Sequence, residues 1–260
     1  MAEFSELPGL LAAPGMSVAA QVLLVLVSFV TSAVSAAFGL GGGMMLIAIM
    51  AQAMPIPALV PVHGVVQMGS NAGRALVLLK HVNWPAALWF MLGASAGALA
   101  GGAVSVSLPA AAVRLGLGLF ILWMVWGTSP RFDRAPKRAM AGAGFIATGL
   151  SMIFGATGPI GGAVLSAIGL SRQAFVATQA VTALVMHVFK IVVFGLLGFV
   201  FAPWLGLVLM MIASGFLGTL AGTRLLARMP ESTFRTGFRL VMTLLAGSLL
   251  LRGLADLFTA

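Results

Sequence analysis

The sequence predicts an all-α polytopic membrane protein built from two inverted five-segment repeats, with about eight full transmembrane helices and two short or broken ones. Three observations support this fold class. Of the 260 residues, 61% are hydrophobic and only 7% are charged, whereas soluble domains are about 45–50% apolar and about 25% charged. The apolar runs are continuous over about 20 residues and do not alternate as barrel strands do. A shift of 116 residues carries Arg74 onto Lys190, and both cations lie within apolar runs.

The apolar runs divide the chain into ten segments, and the longest polar stretch lies between the fifth and the sixth. We therefore predict an N-terminal tail at 1–16, a first transmembrane repeat at 17–127, a basic cytoplasmic linker at 128–138 and a second transmembrane repeat at 139–257. The segments themselves are predicted at 17–38, 42–54, 57–80, 84–107, 110–127, 139–155, 159–170, 173–198, 203–225 and 234–256.

Two segments, 42–54 and 159–170, are too short for a straight span of about 20 residues. With the basic linker in the cytoplasm and all ten segments crossing, Lys80, Arg172 and the loop 228–235 also fall inside, in agreement with the positive-inside rule. Five crossings per half then make the halves inverted, as in many secondary transporters. The predicted location is the inner (plasma) membrane, with multiple passes. Whether the short segments cross the bilayer stays open.

A polar stripe runs along the third segment. Four residues recur at spacings of four, three and four, with a fifth beside them: His63, Gln67, Ser70 and Arg74, bordered by Asn71. These spacings place the four within roughly a 60° arc of one helix face. The eighth segment carries a counterpart stripe: Gln179, His187 and Lys190, with Thr178 beside it. Such stripes are expected to face a bundle interior or a water-filled cavity, and packing between helices is the alternative.

The two cations predict an anion site. A charged residue at the centre of a membrane helix costs on the order of 2.5–3.5 kcal/mol even on the mild insertion scale, and is usually functional. The five acidic residues all lie outside the interiors of the predicted spans: Glu3, Glu6, Asp133, Glu231 and Asp256. A ligand, backbone carbonyls or water are therefore the available partners, and an anionic substrate is the simplest. Snorkelling of both side chains toward an interface is the competing explanation.

A glycine-rich turn precedes each short segment. The first holds Gly41, Gly42 and Gly43, and the second holds Thr157 and Gly158. The first turn is followed by no Gly-Lys-Ser/Thr and lacks the last glycine of a dinucleotide fingerprint. Two helix N-termini that open on one cavity would instead bind an anion. Close helix packing through small residues is the alternative here.

Small residues also recur every four positions within longer segments. They form three ladders: Ala94, Ala98 and Gly102; Gly93, Gly97 and Gly101; and Ser214, Gly218 and Gly222. We expect these ladders to be packing surfaces within the chain, and they leave a homodimer open.

At these residues the chain resembles the sulfite exporter TauE/SafE family of membrane permeases, over about residues 20–255. The resemblance rests on the glycine-rich turn at 39–43, the polar segment 57–80, the turn Lys80–Trp84 and the recurrence of the pattern at 154–195. It implies movement of sulfite, organosulfonates or related sulfur anions, often outward from the cytoplasm.

Together these features predict a secondary transporter, in the exporting direction by resemblance, for small sulfur oxyanions such as sulfite or organosulfonates. It would work by alternating access between the two repeats, with the substrate held between Arg74 and Lys190. The other expected substrate contacts are His63, Gln179, Asn71, His187, Gln67, Ser70, Thr178, Gly41, Gly42, Gly43, Thr157 and Gly158. We expect the lipid bilayer as surroundings, no nucleic acid, no cofactor and no metal.

Three other functions stay open. A passive anion channel would use the same residues without a conformational cycle. An intramembrane hydrolase would use Ser151 and His187 as a dyad, although the sequence around Ser151 carries only part of the pattern of such enzymes. A metal-cation transporter is disfavoured by the lack of cysteine and of membrane carboxylates, although histidine and methionine suit a soft metal. His63 or His187 would also allow proton coupling of a carrier.

Overall fold

The computed structural model describes residues 13–38, 41–127, 134–225 and 231–259. Within these ranges the chain forms ten α-helices and no strand. The first half contains α1 (Val18–Phe38), α2 (Gly42–Ala53), α3 (Ile56–Val77), α4 (Trp84–Ser105) and α5 (Ala110–Trp126). The second half contains α6 (Ala139–Phe154), α7 (Gly158–Ser166), α8 (Arg172–Leu196), α9 (Leu205–Leu225) and α10 (Glu231–Thr259). Short 3-10 turns precede α4 at Leu79–His81 and α9 at Ala202–Trp204.

The predicted segments therefore correspond to helices with small shifts at their ends. Residues 1–12, 39–40, 128–133 and 226–230 were part of the predicted tail, glycine turn, linker and basic loop, and they lie outside the described residues. The all-helical, polytopic character that the sequence predicted is confirmed for the described ranges.

Five of these stretches are long and apolar enough to cross a membrane: Val18–Ala37, Trp84–Ser105, Arg172–Leu196, Ala202–Gly222 and Arg235–Phe258. Three further apolar helices are shorter: α2, α5 and α6, with 12, 17 and 16 residues. Helix α3 has 22 residues, but its polar stripe lowers its mean hydropathy and it is not among the five. The predicted count of about eight full spans is thus not reproduced by length and apolarity alone.

The two short segments are helices of 12 residues in α2 and 9 residues in α7. At about 1.5 Å per residue they reach about 18 Å and about 14 Å, less than the roughly 30 Å of a hydrocarbon core. Each starts beside an interior position of a longer helix, α2 beside α3 and α7 beside α8.

Four helix pairs each join one helix of the first half to one helix of the second half. Helix α4 packs on α6, α9 packs on α1, α5 packs on α10, and α3 packs on α8. When the helices are counted from one to five within each half, the fourth helix of each half packs on the first helix of the other half. The two third helices pack on each other, and so do the two fifth helices.

Glycine ladders allow the closest of these contacts. A side chain at Gly97 or Gly101 would overlap the backbone of α6 at Phe145 or Gly149. A side chain at Gly218 would likewise overlap the backbone of α1 at Phe29. The prediction that these ladders are packing surfaces within the chain is confirmed.

Helices α3 and α8 run antiparallel through the centre of the bundle. Near one end Arg74 of α3 shares a cavity with Phe175 of α8. Near the other end Ile56 of α3 shares a second cavity with Phe194 of α8. At the crossing the Lys190 side chain packs against Gly64.

Several basic residues lie at the bundle end where α3 stops and α8 starts. Lys80 and His81 belong to the 3-10 turn that contacts α8. The amide of Asn83 donates a 2.9 Å hydrogen bond to the Thr178 hydroxyl in the first turns of α8. The amide of Ala135, at the end of the linker, donates a 3.0 Å hydrogen bond to the carbonyl of Ala167 just before α8.

Candidate substrate cavity

A cavity of about 260 Å³ lies between α3 and α8. The starts of both short helices form part of its wall, since Gly41, Gly43 and Gly158 line it. The two elements that the sequence marked as unusual in each half, the polar helix and the short helix, therefore meet at one place.

The first turn of α2 presents backbone N–H groups that have no partner inside the helix. In the first turn of α7 this holds for Gly158, whereas Pro159 has no N–H and the amide of Ile160 donates a 3.0 Å hydrogen bond to the carbonyl of Thr157. Neither start has a side-chain cap: the residues at the cap positions, Gly41 and Thr157, accept no hydrogen bond from the following turn through a side chain. Gly41 has φ +101°, a left-handed conformation that glycine adopts without strain. The positive ends of two helix dipoles thus lie beside one small space, an arrangement that favours an anion.

Arg74 supplies the positive side chain of the cavity wall. Its guanidinium donates a 3.1 Å hydrogen bond to the side-chain oxygen of Asn71. The side-chain amide of Asn71 in turn donates a 2.8 Å bond to the carbonyl of Gln67. This chain along one face of α3 fixes the direction of the guanidinium and leaves its other N–H groups for a ligand.

Two side chains tie the short helices to the long ones at corresponding places. A ring nitrogen of His63 lies 3.0 Å from the carbonyl oxygen of Gly43 at the start of α2. The side-chain amide of Gln179 donates a 3.2 Å bond to the carbonyl of Gly158 at the start of α7. The sequence shift that relates the halves places His63 on Gln179. Different residues therefore make the equivalent contact between the long helix and the start of the short helix in the two halves.

Lys190 lies behind the cavity and is not part of its wall. It is fully buried, and its ammonium donates a 2.7 Å hydrogen bond to the carbonyl of Gly155 at the end of α6. A backbone carbonyl was one of the three partners that the sequence left for this cation. The ring of His187 lines the cavity and lies 6.0 Å from that of His63, centroid to centroid, in an edge-on arrangement.

The cavity brings together eight of the residues predicted for the site: Gly41, Gly43, Gln67, Asn71, Arg74, Gly158, Gln179 and His187. Six others lie outside its wall: Gly42, His63, Ser70, Thr157, Thr178 and Lys190. Two of these six use their hydroxyls within the protein, since Thr157 donates to the carbonyl of Ala147 in α6 and Thr178 donates to that of Ala174 one turn earlier in α8.

Apolar and small residues complete the wall, and the polar pattern of the sequence did not predict them. They include Met44, Phe175, Val176, Ala180, Ala183 and Met186. A signal for three positions was present, because Val176, Ala180, Ala183 and His187 recur at spacings of four, three and four. That is the spacing of the polar stripe on α3, and it marks one helix face whatever its polarity.

Among the residues that the structure describes, the cavity wall contains no carboxylate. Ser151, the serine of the hydrolase alternative, is fully buried outside the wall, and its hydroxyl donates a 3.0 Å bond to the carbonyl of Gly155.

A profile of the sulfite exporter TauE/SafE family matches residues 24–249. The chain belongs to this family. The match covers both halves of the bundle and confirms the resemblance found from the glycine turns and polar segments. Membership in TauE/SafE identifies a multi-pass membrane permease of a family named for sulfite export, and a transporter rather than an enzyme. No curated protein and no solved structure matches the chain significantly.

Proposed function

We propose that this TauE/SafE protein is a secondary transporter that binds a small sulfur oxyanion, such as sulfite or a small organosulfonate, in the cavity between α3 and α8. One observation supports this most strongly. Two uncapped helix starts and the guanidinium of Arg74 converge on a single cavity whose described wall holds no carboxylate. A guanidinium offers a fork of N–H donors that fits the oxygens of such an anion.

The size of the cavity agrees with a small substrate. At about 30 Å³ per water molecule, a volume of about 260 Å³ holds roughly eight or nine waters. Sites for drug-sized ligands begin near 300 Å³. The apolar side of the wall, with Met44, Phe175 and Met186, gives room for the short carbon chain of a sulfonate beside the anionic group.

The proposed mechanism is alternating access between two inverted repeats, at 17–127 and 139–257. The antiparallel course of α3 and α8 and the exchange of partner helices between halves support it. A second cavity beside Ile56 and Phe194 lies toward the opposite end of the bundle. Rocking of one half against the other would open that side as the Arg74 side closes.

The same proposal sets the orientation in the inner membrane. The bundle end with Lys80, His81, Arg172 and the linker is assigned to the cytoplasm by the positive-inside rule. The cavity that holds Arg74 lies toward this end, because Phe175 in the first turn of α8 lines it. On this proposal the cavity that holds Arg74 would receive substrate from the cytoplasm.

Counterflow in proteoliposomes tests the carrier against the passive channel. Vesicles preloaded with unlabelled sulfite should transiently accumulate radiolabelled sulfite through the wild-type protein, because a carrier exchanges its substrate. A channel would only equilibrate the label. Arg74→Gln should reduce exchange at subsaturating sulfite about 10-fold to 100-fold, since hydrogen bonds to charged groups contribute about 1.5–3 kcal/mol.

Arg239→Gln is the matched control. This arginine stacks on the ring of Trp126 between α10 and α5, and it lies outside the cavity wall. The same substitution there removes a cation from the chain without touching the site, so exchange should stay near the wild-type rate. Equal exchange by the wild type and Arg74→Gln would show that the cavity is not the anion site.

A further inference from the structure

Three titratable side chains form a cluster at one side of the cavity: His187 in its wall, and His63 and Lys190 outside the wall. All three are buried, and Lys190 is within electrostatic range of both imidazoles. One ring nitrogen of each histidine, Nδ1, is buried without a hydrogen-bond partner. Buried polar atoms are rarely left unpaired, so unpaired ones need an explanation. One such explanation is that the group gains and loses a proton during a functional cycle.

No carboxylate in the described part of the chain balances Lys190. Of the acidic residues that the structure describes, Glu231 and Asp256 both belong to α10, and Asp256 forms an ion pair with Arg114. The ammonium has instead the carbonyl of Gly155 and the negative end of the α6 dipole. These partners offset only part of the cost of burying a charge. An anion in the neighbouring cavity would offset more of it.

The surroundings of Lys190 contain few other charged groups. The helices packed against this part of α8 are α3, α4, α6 and α7. Within these four described helices the only titratable residues are His63 and Arg74 of α3, and Arg74 faces the cavity. On α8 itself His187 lies one turn before Lys190 and reaches the cavity wall. The imidazole of His187 is therefore the link between the buried amine and the cavity.

We propose that Lys190 carries a proton that is transported together with the anion. The proposal rests on the carrier function proposed above and names its coupling ion. When the anion enters, a proton from the cavity binds the neutral amine of Lys190 and gives the ammonium. When the anion leaves on the other side, the ammonium returns that proton through His187 to the water that replaces the anion in the cavity, one ring nitrogen accepting it as the other releases one.

The contact with Gly155 connects this proton to the conformational change. Gly155 ends α6 with φ +81° and lies at the break before the short helix α7. A charge-assisted hydrogen bond is roughly twice as strong as a neutral one. The carbonyl of Gly155 is therefore held firmly while Lys190 is charged and loosely when it is neutral, so the break between α6 and α7 responds to the proton.

Coupling of this kind has a measurable sign. If each bound anion brings one proton to Lys190, the affinity falls as pH rises, by up to about tenfold per pH unit once the empty carrier has lost its proton. The probe should be methanesulfonate, which stays a monoanion from about pH 6 to about pH 9, so that only the protein titrates. Sulfite itself changes charge in this range.

Calorimetry on the purified full-length protein measures the proton directly. Titration with methanesulfonate in two buffers of different ionisation enthalpy should give about one proton taken up per anion in the wild type. Lys190→Met should bind weakly at every pH and take up no proton. Lys190→Arg, which keeps the cation for Gly155, should bind well at every pH and also take up none, and it decides the matter if the methionine variant does not fold.

Two results would overturn the assignment. The wild type takes up no proton, or a Lys190 variant takes one up as the wild type does. Either of these together with normal counterflow would remove Lys190 as the proton site and leave the carrier intact. Absence of both binding and counterflow in the wild type would instead refute the proposed function.

Discussion

The nearly isosteric substitution Asn71→Asp tests whether the positive charge of Arg74 binds the anion in the cavity. The side-chain oxygen of Asn71 lies 3.1 Å from the guanidinium of Arg74, so the substitution places a carboxylate beside the arginine of the cavity wall. Two unit charges 4 Å apart interact by about 4 kcal/mol at an effective dielectric constant of about 20. An internal ion pair of this strength would compete with the substrate for Arg74.

The expected loss of anion affinity lies between about tenfold and about a thousandfold, because a difference of 1.4 kcal/mol is tenfold in affinity. The upper figure uses the whole of the pair energy, and solvent around the partly exposed Arg74 reduces it. Asn71→Ala is the matched variant. It removes the same hydrogen bond without adding charge, so about 1 kcal/mol or about fivefold is expected.

Affinity is measured by calorimetry with methanesulfonate, and folding is checked by thermal melting in the same detergent. Charge, and not loss of the amide, must account for the difference between the two variants. The interpretation of Arg74 as the anion-binding group fails if Asn71→Asp binds as tightly as Asn71→Ala. It fails equally if both bind like the wild type.

Two further predictions concern packing and the hydrolase alternative. Gly97→Ala should destabilise the bundle by about 1–3 kcal/mol, because the added methyl group overlaps the α6 backbone at Phe145. Gly142→Ala, a helical glycine with open space around it, should be neutral or stabilising by about 0.5–1 kcal/mol. Equal thermal melting of these two variants would contradict the close approach of α4 and α6. Ser151→Ala should retain counterflow with at most about 1.5 kcal/mol of lost stability, since the hydroxyl makes one hydrogen bond to Gly155. Loss of counterflow in a well-folded Ser151→Ala protein would contradict this prediction and favour the hydrolase alternative.

Much of the helical framework could be predicted from the sequence because a bilayer imposes simple rules. Apolar length gave the segments, and glycine-rich turns gave the two short helices. Periodicity gave the shared face of Gln67, Asn71 and Arg74, since residues three and four apart lie on one side of a helix. These are local properties, and the structure reproduces them with shifts of a few residues at the helix ends.

Depth along a shared face could not be predicted in the same way. Periodicity assigns Lys190 to the face of His187, but it does not say whether a side chain ends in the cavity or behind it. That depends on how closely the neighbouring helices approach α8, and small residues on those helices affect it, such as Gly102 of α4 beside Val193. The apolar part of the wall was not predicted for a related reason. In the sequence, Ala180 and Ala183 cannot be distinguished from ordinary membrane core residues, because their neighbours on other helices are unknown.

The two cations therefore have unequal positions although the sequence shift makes them equivalent. Arg74 lines the cavity, where its N–H groups can reach a ligand, whereas Lys190 is bonded to the end of α6. Arginine stays charged under all ordinary conditions, while lysine readily changes its protonation when buried. A permanent cation is suited to holding the anion, and a titratable one is suited to registering that the anion is present. If both positions were arginine, the site would keep its attraction for anions and lose its means of exchanging a proton. On the proposed mechanism, this difference between the halves is what would couple binding of the anion to transfer of a proton.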